Sequence, residues 1–589
     1  MRGLAAILTR SRAPAGDTVE RMLAAAPHRG NLTTVASIGG CTLGVSDLDA
    51  RGEATLAADE AYAVAFAGAL DNAQELAGRF SADPTAPAAE VVLAAFKTIG
   101  TKAAALLRGT FACAASDGTT LWAFRDHLGL ETLFHREDDD IVYLASEAKQ
   151  VLAGAGVSPE PDLDAVDALF YGELDDPTVC ALRGVRRLVG ATLLGAEVGS
   201  LDVSPYWDPA SLLESASLTT EEATERFREL FAQAVARPLT GRDVVSLSGG
   251  IDSPPIAAYA NREYARRWKR PIPALSAVYP SFPESDESGY IELVAERLGL
   301  PLHTYEPGPQ RLDRLQFWLR LFDGPWSTWS PEGTAERCAQ AQALGFTTIL
   351  SGEFAEQVSA VRAHLVSHLL WRAHLQGAIV QLRSQRAAGL GRRRLLSELR
   401  EAVTPRRVQA RGFRRHPPVF LPPWIDLARI GERDARHALP ARRRWTSAQL
   451  PFFGADPVGE ADVYSHALHG IRARRPWADI DLWEFFLSLP AEVKFPDYRM
   501  KGFARNALRG DVADEILDRR DKTYMDGWFE VMAVDYPAVR HWLSKGDVRV
   551  KGVDYERLRE ELERERMPLA HYLWARDLAG VHAFVDLWS

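Results

Sequence analysis

One stretch decides the fold of the second half of this chain: Val244-Val245-Ser246-Leu247-Ser248-Gly249-Gly250-Ile251-Asp252-Ser253. A mostly apolar strand runs into Ser-Gly-Gly and then into a helix, so that consecutive backbone N–H groups close on an anion. The two glycines let the anion approach the backbone. The hydroxyls of Ser248 and Ser253 add donors, and Asp252 offers a hard oxygen ligand for Mg²⁺ bound to the same phosphates. The stretch therefore predicts a phosphate-binding loop.

Strands and helices alternate on both sides of this loop. Helices are predicted at 220–235, 290–298 and 335–344 and from Ser253 onward, and strands at 243–247, 274–279 and 347–350. This alternation is typical of a parallel sheet with crossover helices. Upstream, short alternating segments predict a sheet-rich domain. We expect two domains, 1–207 and 215–589.

Length and composition exclude several classes of protein. The chain has 589 residues, enough for two to four domains at roughly 150 residues each. Its 47% hydrophobic content supports buried cores, and its apolar stretches are too short to span a bilayer. The four cysteines are scattered without metal-ligand spacing, which argues against a disulfide framework or structural zinc. We therefore expect a cytoplasmic protein that binds neither membrane nor nucleic acid.

Charge is distributed unevenly along the chain. The net charge is −10, but residues 383–444 contain seventeen arginines, no lysine and five acids, a net +12 that leaves −22 elsewhere. Pro405, Pro417, Pro418, Pro422 and Pro423 interrupt this segment, so it is expected to be an inserted, partly irregular subdomain. Two interpretations stay open. The insertion either contacts a long substrate, or it is a solvated surface or an oligomer contact.

The loop at 248–253 matches the pyrophosphate loop of ATP pyrophosphatases, which split ATP into AMP and pyrophosphate. Other segments extend this resemblance to asparagine synthetases over nearly the whole chain outside the insertion. These segments are Met1–Leu8, His28–Gly30, Arg125–Gly129, Ala145–Lys149, Ser351–Gln357, His469–Asp479, Lys501 to Arg509 and Arg519–Gly527. The resemblance implies an α+β and α/β two-domain fold. It consists of an N-terminal Ntn-hydrolase-like β-sandwich (αββα) and a C-terminal pyrophosphatase-loop α/β sheet with helical additions.

Two departures from the family pattern decide the expected nitrogen source. Glutamine-dependent members begin Met-Cys-Gly and use the cysteine thiol to hydrolyse glutamine. Here Arg2 stands at that position, and arginine cannot act as a nucleophile because it stays protonated. Ala67-Gly68 replaces the family's Asn-Gly pair, so an oxyanion donor is lost as well. We expect an inactive first domain and an amine supplied by the substrate or by free ammonia.

Three branches that resemble this family lack the cysteine: β-lactam synthetases, carbapenam synthetases and the macrolactam synthetases (cyclases) of lasso peptides. Each adenylates a carboxylate that an amine of the same molecule then attacks, which gains effective concentration. The basic insertion favours a long substrate, so the lasso peptide cyclase is the leading hypothesis. It implies a precursor peptide, a separate leader-binding protein and a leader protease. The alternatives are a small-molecule lactam or amide synthetase, an ammonia-dependent asparagine synthetase and a non-catalytic scaffold.

The resemblance also assigns roles in binding ATP. Its phosphates are expected at the loop and at two lysines, its adenine at two backbone positions, and Mg²⁺ at two carboxylates. The expected ATP residues are Leu247, Ser248, Gly249, Gly250, Asp252, Ser253, Val278, Gly352, Lys501 and Lys522, and the metal ligands are Asp252 and Glu356. Glu356 stands where the family usually has Asp. Lys522 is also predicted to be catalytic, because it neutralises charge that builds up during adenylation.

Two further carboxylates are candidates for handling the amine, which must be neutral to attack. Glu353 stands where asparagine synthetases also carry Glu, and we expect it to orient the amine. Glu460 falls where β-lactam synthetases carry an acid paired with a tyrosine, although a solvated surface role is an equal alternative. His466 and His469 have helical spacing but no third ligand, so structural roles are expected for both.

Overall fold

The structure is a computed structural model that describes residues 2–10, 15–49, 51–52, 54–173, 175–325, 331–416, 421–450, 457–497, 499–519, 523–545, 548–564 and 567–588. In the first domain the strands are β1 (Arg2–Thr9), β2 (Leu32–Ile38), β3 (Cys41–Asp47), β4 (Ala54–Ala58), β5 (Ala63–Leu70), β6 (Gly109–Ser116), β7 (Leu121–Arg125), β8 (Phe134–Asp138), β9 (Ile141–Ala145), β10 (Arg186–Arg187), β11 (Thr192–Glu197) and β12 (Ser200–Pro205). Its α-helices are α1 (Gly16–Ala24), α2 (Ala73–Phe80), α3 (Ala88–Ile99), α4 (Ala148–Ala155) and α5 (Leu163–Tyr171).

These strands form two antiparallel sheets, ordered β10-β8-β9-β1-β3-β2 and β12-β11-β7-β6-β5-β4. Alternation along the strands sends side chains to opposite faces. In β1, Leu4 and Ala6 join the core between the sheets, whereas Ala5 and Ile7 pack outward against α1 and α4. On the other sheet Phe66 faces outward toward α3. The result is the predicted helix–sheet–sheet–helix sandwich.

The second domain is built on the predicted parallel sheet, ordered β15-β14-β13-β16-β17. Its strands are β13 (Asp243–Ser246), β14 (Ala274–Ala277), β15 (Leu302–Tyr305), β16 (Thr348–Leu350) and β17 (Arg472–Arg474). The helices through the crossovers and the insertion are α6 (Thr220–Ala236), α7 (Ser253–Trp268), α8 (Ser288–Leu298), α9 (Leu315–Phe322), α10 (Pro331–Ala343), α11 (Ala355–Ser359), α12 (Leu365–Trp371), α13 (Leu375–Ala387), α14 (Arg392–Val403), α15 (Arg406–Arg415), α16 (Leu427–Arg436) and α17 (Ala441–Gln449). The remaining helices are α18 (Pro457–Leu468), α19 (Ile480–Ser488), α20 (Ala491–Lys494), α21 (Gly502–Ala507), α22 (Asp514–Leu517), α23 (Asp526–Met532), α24 (Tyr536–Ser544), α25 (Tyr555–Leu562) and α26 (Leu569–Trp588).

The basic insertion consists of helices separated by short irregular segments. Its described part is mostly helical, from the end of α13 through α17. Pro405 lies between α14 and α15. It is the N-cap residue of α15, a position where the missing N–H of proline breaks no helical hydrogen bond. Pro417 and Pro418 lie outside the described residues. The described segment is therefore mostly helical and irregular at 404–405, 416, 421–426 and 437–440, which fits the expected partly irregular subdomain.

A buried network of charges joins the two domains. Arg29 contacts Glu131 at 3.0 Å and also pairs with Glu147, and none of these three side chains is more than 2% exposed. Lys149 continues the network from Glu147 (2.5 Å) to Asp323 (3.2 Å), which follows α9 in the second domain. Because every member has an opposite charge beside it, the desolvation of these ions is compensated locally.

Glu147→Gln tests the importance of this network for stability. Gln can still accept the α4 capping bond that Glu147 accepts, but it removes the counter-charge that Arg29 and Lys149 share in a dry site and leaves them only Glu131 and Asp323. We expect a loss of about 3–5 kcal/mol, seen by differential scanning calorimetry as a lower Tm. The matched control is Glu160→Gln, which breaks an exposed pair with Arg183 and should barely change the Tm. Equal Tm values for the two variants would contradict this account.

Candidate active site

The phosphate loop connects β13 to α7 at the carboxyl end of the parallel sheet. Ser253 Oγ accepts a bond from the Ser248 N–H at 2.9 Å and lies 3.1 Å from Ser248 Oγ, which closes the loop on itself. Leu247 donates its N–H to Leu275 O at 3.1 Å and so stays attached to β14. Residues 254 and 255 are prolines in the first turn of α7, so that turn offers fewer N–H donors than the sequence argument assumed.

The amide of Gly249 already has an acidic partner. Its N–H donates to Glu287 Oε2 at 3.0 Å, and Arg519 donates to Gly249 O and to Glu287 Oε1, both at 2.8 Å. Arg519 also stacks on the ring of Tyr290, 4.2 Å from the ring centre. A Cβ at Gly249 would lie 2.8 Å from Tyr290 Cβ, so glycine is required for this packing. Sequence reasoning had assigned this N–H to phosphate and missed Glu287.

Asp252, Lys501 and Glu356 converge on one point. Lys501 is buried, and its Nζ lies 2.5 Å from Asp252 Oδ1 and 3.8 Å from Glu356 Oε1. Burial raises the pKa of Asp252, and the Lys501 ammonium opposes that shift. Three residues from three separate segments of the sequence are therefore brought together as predicted from the motifs.

Gly352 makes this convergence possible. A Cβ at Gly352 would lie 2.7 Å from Asp252 Cβ and 3.0 Å from the Ser253 N atom, closer than side chains tolerate. The loop after β16 therefore packs directly on the phosphate loop. Trp477 also holds the phosphate loop in place, because its indole N–H donates to the Asp252 carbonyl at 2.9 Å.

The residues present suit a Mg²⁺ ion. Mg²⁺ in nucleotide sites is usually held by one or two carboxylates, with phosphate oxygens and water as the other ligands. Asp252 and Glu356 supply two carboxylates that face one cation, here the Lys501 ammonium. Among the described residues no group of three or more His, Cys, Asp or Glu side chains forms a metal cage. A metal here would therefore depend on phosphate to complete its ligands.

Glu353 is the central acid of an ion cluster. It contacts Arg475 at 2.5 Å and Arg337 at 3.6 Å, and Arg475 also pairs with Asp462. Burial works to raise the pKa of Glu353, but the two guanidiniums prevail and hold it below its usual range. Glu353 therefore stays ionised near neutral pH and is suited to orienting a cation rather than to removing a proton.

Glu460 needs a correction. Both of its oxygens are taken by Arg187 of β10, with Arg187 Nη2 at 2.9 Å from Oε2, and Glu460 is only 6% exposed. Glu460 and Asp462 are two residues apart on α18 and so point to roughly opposite sides of that helix. Since Asp462 faces the Glu353 cluster, Glu460 faces the first domain. It is a buried junction residue, so the alternative of a solvated surface role is wrong, and its role at the amine stays a prediction.

The other predicted positions are placed as follows. Val278 lies just beyond β14 and donates its N–H to Tyr305 O at 3.0 Å, at the same end of the sheet as the phosphate loop. Lys522 lies outside the described residues. His466 is buried, with Nδ1 2.8 Å from the carbonyl of Asp462, which fits a structural role.

The site of the absent nucleophile is occupied by the junction network. Arg2 is 4% exposed and contacts Glu131 at 3.0 Å, and Arg29 donates to the Arg2 carbonyl at 3.2 Å. Ala67 is fully buried, and a Cβ at Gly68 would lie 2.4 Å from Thr110 O. None of the three residues Arg2, Ala67 and Gly68 carries a thiol or a hydroxyl, and the one charged group among them, the Arg2 guanidinium, is paired with Glu131.

Comparison with known proteins identifies the class. A family model described as asparagine synthase matches residues 226–589, and one described as a glutamine amidotransferase domain matches residues 1–207. The chain belongs to the asparagine synthase family. It is an ATP-dependent amide ligase with an amidotransferase-like antiparallel sandwich at its N-terminus. In the described helices, none is both long and apolar enough to cross a bilayer.

Individual relatives are distant. The chain is 25% identical over 438 residues to "Asparagine synthetase [glutamine-hydrolyzing] 3" of Bacillus subtilis, covering 71% of this chain and 67% of the relative. It is 29% identical over 201 residues to carboxyethyl-arginine beta-lactam-synthase of Streptomyces clavuligerus, covering 33% and 37%. A solved glutamine phosphoribosylpyrophosphate amidotransferase from B. subtilis covers 52% of this chain and 82% of its own, with 13% identity. Its TM-score is 0.27, too low to support any argument.

Gly352→Ala tests the contact between the two loops. The added methyl group must displace Asp252 or the Ser253 amide, and a misplacement of about 1 Å lowers turnover on the order of a hundredfold. We expect that loss in kcat for AMP formation, measured by coupled assay or chromatography. Gly78→Ala is the control, because a Cβ there meets nothing within 4 Å and the residue lies in the first domain. Full activity of Gly352→Ala would contradict the proposed packing.

Lys494 is a buried lysine at the base of the insertion, seven residues before Lys501. Its ammonium donates to Gln449 Oε1 of α17 at 2.9 Å and lies 5.7 Å from the ring centres of Phe486 and Phe495. Burial lowers the pKa of Lys494 to about 7, against the opposing charge of Glu214. Protonation of this side chain is therefore unfavourable in the folded protein.

The sign of the resulting pH dependence follows from linkage. The unfolded chain binds the Lys494 proton more tightly than the folded protein does. The resulting loss in the free energy of unfolding is therefore complete below pH 7 and declines as the pH rises toward about 10. We expect Lys494→Met to raise the Tm at pH 7 and to flatten the rise of Tm between pH 7 and 10. Lys102→Met, at an exposed lysine, is the control. A lower Tm for Lys494→Met across this range would contradict the assignment.

Proposed function

We propose that this ligase closes a macrolactam in a precursor peptide. It activates an Asp or Glu side-chain carboxylate with ATP and joins it to the peptide's N-terminal amine, as lasso peptide cyclases do. The observation that carries the proposal is the buried Arg2 at the position of the glutaminase nucleophile. Since glutamine hydrolysis has no nucleophile there, the amine is taken from the substrate itself.

Residues at the carboxyl end of the sheet are suited to holding the nucleotide. Ser248, Ser253 and Lys501 offer donors to phosphate oxygens, and Asp252 and Glu356 would hold Mg²⁺. ATP supplies the leaving group: the carboxylate becomes an acyl adenylate as pyrophosphate departs, and amide formation releases AMP. Lys522 is proposed to neutralise charge during adenylation. Leu247 and Val278 are proposed to border the adenine.

The ionised Glu353 is proposed to position the amine. Its side chain is 38% exposed, so its carboxylate can accept a hydrogen bond from an incoming ammonium. Its lowered pKa means that it does not take up the amine's proton at neutral pH. Orientation and proton removal are therefore separate tasks here, and Glu353 performs the first.

The position of the insertion supports a peptide substrate. Gln449 of α17 donates to Val361 O at 2.6 Å, just after the Glu356 loop, and accepts from Lys494 before the Lys501 loop. The helix α17, which starts within the insertion and ends just after it, thus contacts both segments that flank the site. A compact metabolite that reacts in the cleft is too small to contact so large an additional surface. A leader-binding protein and a leader protease complete the proposal as separate partners.

The similarity to carboxyethyl-arginine beta-lactam-synthase supports a second candidate, a small-molecule lactam synthetase with the same chemistry. Release of AMP and pyrophosphate from Mg·ATP distinguishes the candidates. It is measured with linear peptides that carry a free amine and an internal Asp or Glu, with small β-amino acids, and with aspartate plus ammonia. We expect only peptides to drive AMP formation, with a product lighter by one water in mass spectrometry. Asp252→Asn should lower the rate at least about a hundredfold.

Other outcomes have definite meanings. Turnover with small β-amino acids alone would replace the macrolactam proposal with the second candidate. Turnover with aspartate and ammonia would make this an ammonia-dependent asparagine synthetase. Glutamate release from glutamine would contradict the inactive first domain.

A further inference from the structure

The arginines of the insertion are mostly exposed and unpaired. Arg429 and Arg433 pair with acids, and Arg444 is buried. Twelve others are exposed and form no ion pair with any residue that the structure describes. They are Arg383, Arg386, Arg392, Arg393, Arg400, Arg406, Arg407, Arg411, Arg414, Arg415, Arg442 and Arg443. So many uncompensated charges of one sign create a strong local field on an otherwise acidic protein.

Part of this basic surface also exposes large apolar side chains. Leu396, Leu399 and Val403 of α14 are 64%, 37% and 75% exposed. At 100° per residue they share one face of the helix, an arc of about 120°, with Arg392, Arg393 and Arg400. Trp371 is 56% exposed and donates to Ala402 O at 2.7 Å, which extends the face onto α12. We name these seven residues the basic apolar strip.

We propose that the basic apolar strip docks an acidic, apolar-containing segment of the substrate peptide, outside the residues that react. The inference rests on the proposed function for the identity of the peptide. Charge complementarity selects an acidic partner, and the exposed leucines and valine give its apolar side chains a surface to cover. The strip is tied to the site side of the domain through α14, whose Glu401 pairs with His364, eight residues after Glu356.

The same features disfavour two other anionic partners. Nucleic acid is bound mainly through its phosphates, and phosphates gain nothing from contact with the apolar side chains of Leu396 and Val403. A lipid surface would also face the rest of the protein, whose net charge of −22 repels an anionic bilayer. A short peptide segment needs only the strip, so it gains the attraction without that repulsion.

Direct binding tests the proposal without any need for catalysis. The probe is a fluorescein-labelled peptide that repeats Glu-Glu-Leu-Asp-Leu three times, and binding to the full chain is followed by fluorescence anisotropy. R392Q/R393Q/R400Q and L396S/V403S should each weaken binding by about tenfold or more. A peptide with Lys in place of each acid should not bind. Circular dichroism and Tm check that each variant is folded.

The matched control is R79Q/R226Q/R266Q, which removes the same charge from exposed arginines elsewhere and should change affinity less than about twofold. The proposal is overturned if the strip variants bind like the unmodified protein or if the control loses as much. It is also overturned if phosphatidylserine vesicles or poly(U) bind more tightly than the peptide and lose that binding in the strip variants.

The outcomes separate this inference from the proposed function. If the probe binds at the strip but no peptide drives AMP formation, the docking surface stands and the macrolactam proposal fails. If peptides are cyclised while the probe does not bind, the function stands and the docking surface fails.

Discussion

The active site depends on the adjacency of two parallel strands. β13 and β16 pair directly, with Val245 opposite Leu350, so the loops that follow them leave the same edge of the sheet side by side. Gly352 then lets the second loop lie against Asp252 with no side chain between them. This contact places Asp252 and Glu356, the two carboxylates proposed to act with ATP, side by side. The remainder of the second domain supports it, through Trp477 beneath Asp252 and Lys501 buried beside it.

The first domain has the antiparallel sandwich of an amidotransferase, with Arg2 at the position where the family resemblance places the nucleophile. Where a thiol would be needed, Arg2 joins Arg29, Glu131 and Glu147 in a dry network that extends to Asp323 of the second domain. Buried ion pairs add little net stability compared with apolar packing, but breaking one is costly. Such a network therefore fixes the relative placement of two domains better than it strengthens them. The domain thus has a structural role at the junction, whatever its chemistry.

The sequence predicted the fold and the convergence of Asp252, Glu356 and Lys501, because strand alternation and motif order carry that information locally. It did not predict that Glu287 would take the Gly249 N–H, since a glutamate on a different segment leaves no signature at the loop. It did not show that Glu460 would pair with Arg187, because a motif position does not reveal which neighbour a helix presents that residue to. It did predict that prolines interrupt the helices of the insertion, and Pro405 lies between α14 and α15, at the start of the second.

The proposed macrolactam reaction requires a long substrate to be held as well as activated. The cleft itself gives a free carboxylate little net attraction, because Lys501 is already paired with Asp252 and Arg475 with Glu353. Binding energy gained elsewhere on a substrate can be used to hold the reacting group at such a site. The insertion has a net charge of +12 and is the one long arginine-rich segment of an otherwise acidic sequence. Its Glu401 pairs with His364, which follows the Glu356 loop in the chain. A remote anchor of this kind suits a long flexible substrate, because holding one segment raises the effective concentration of the reacting segment at the site.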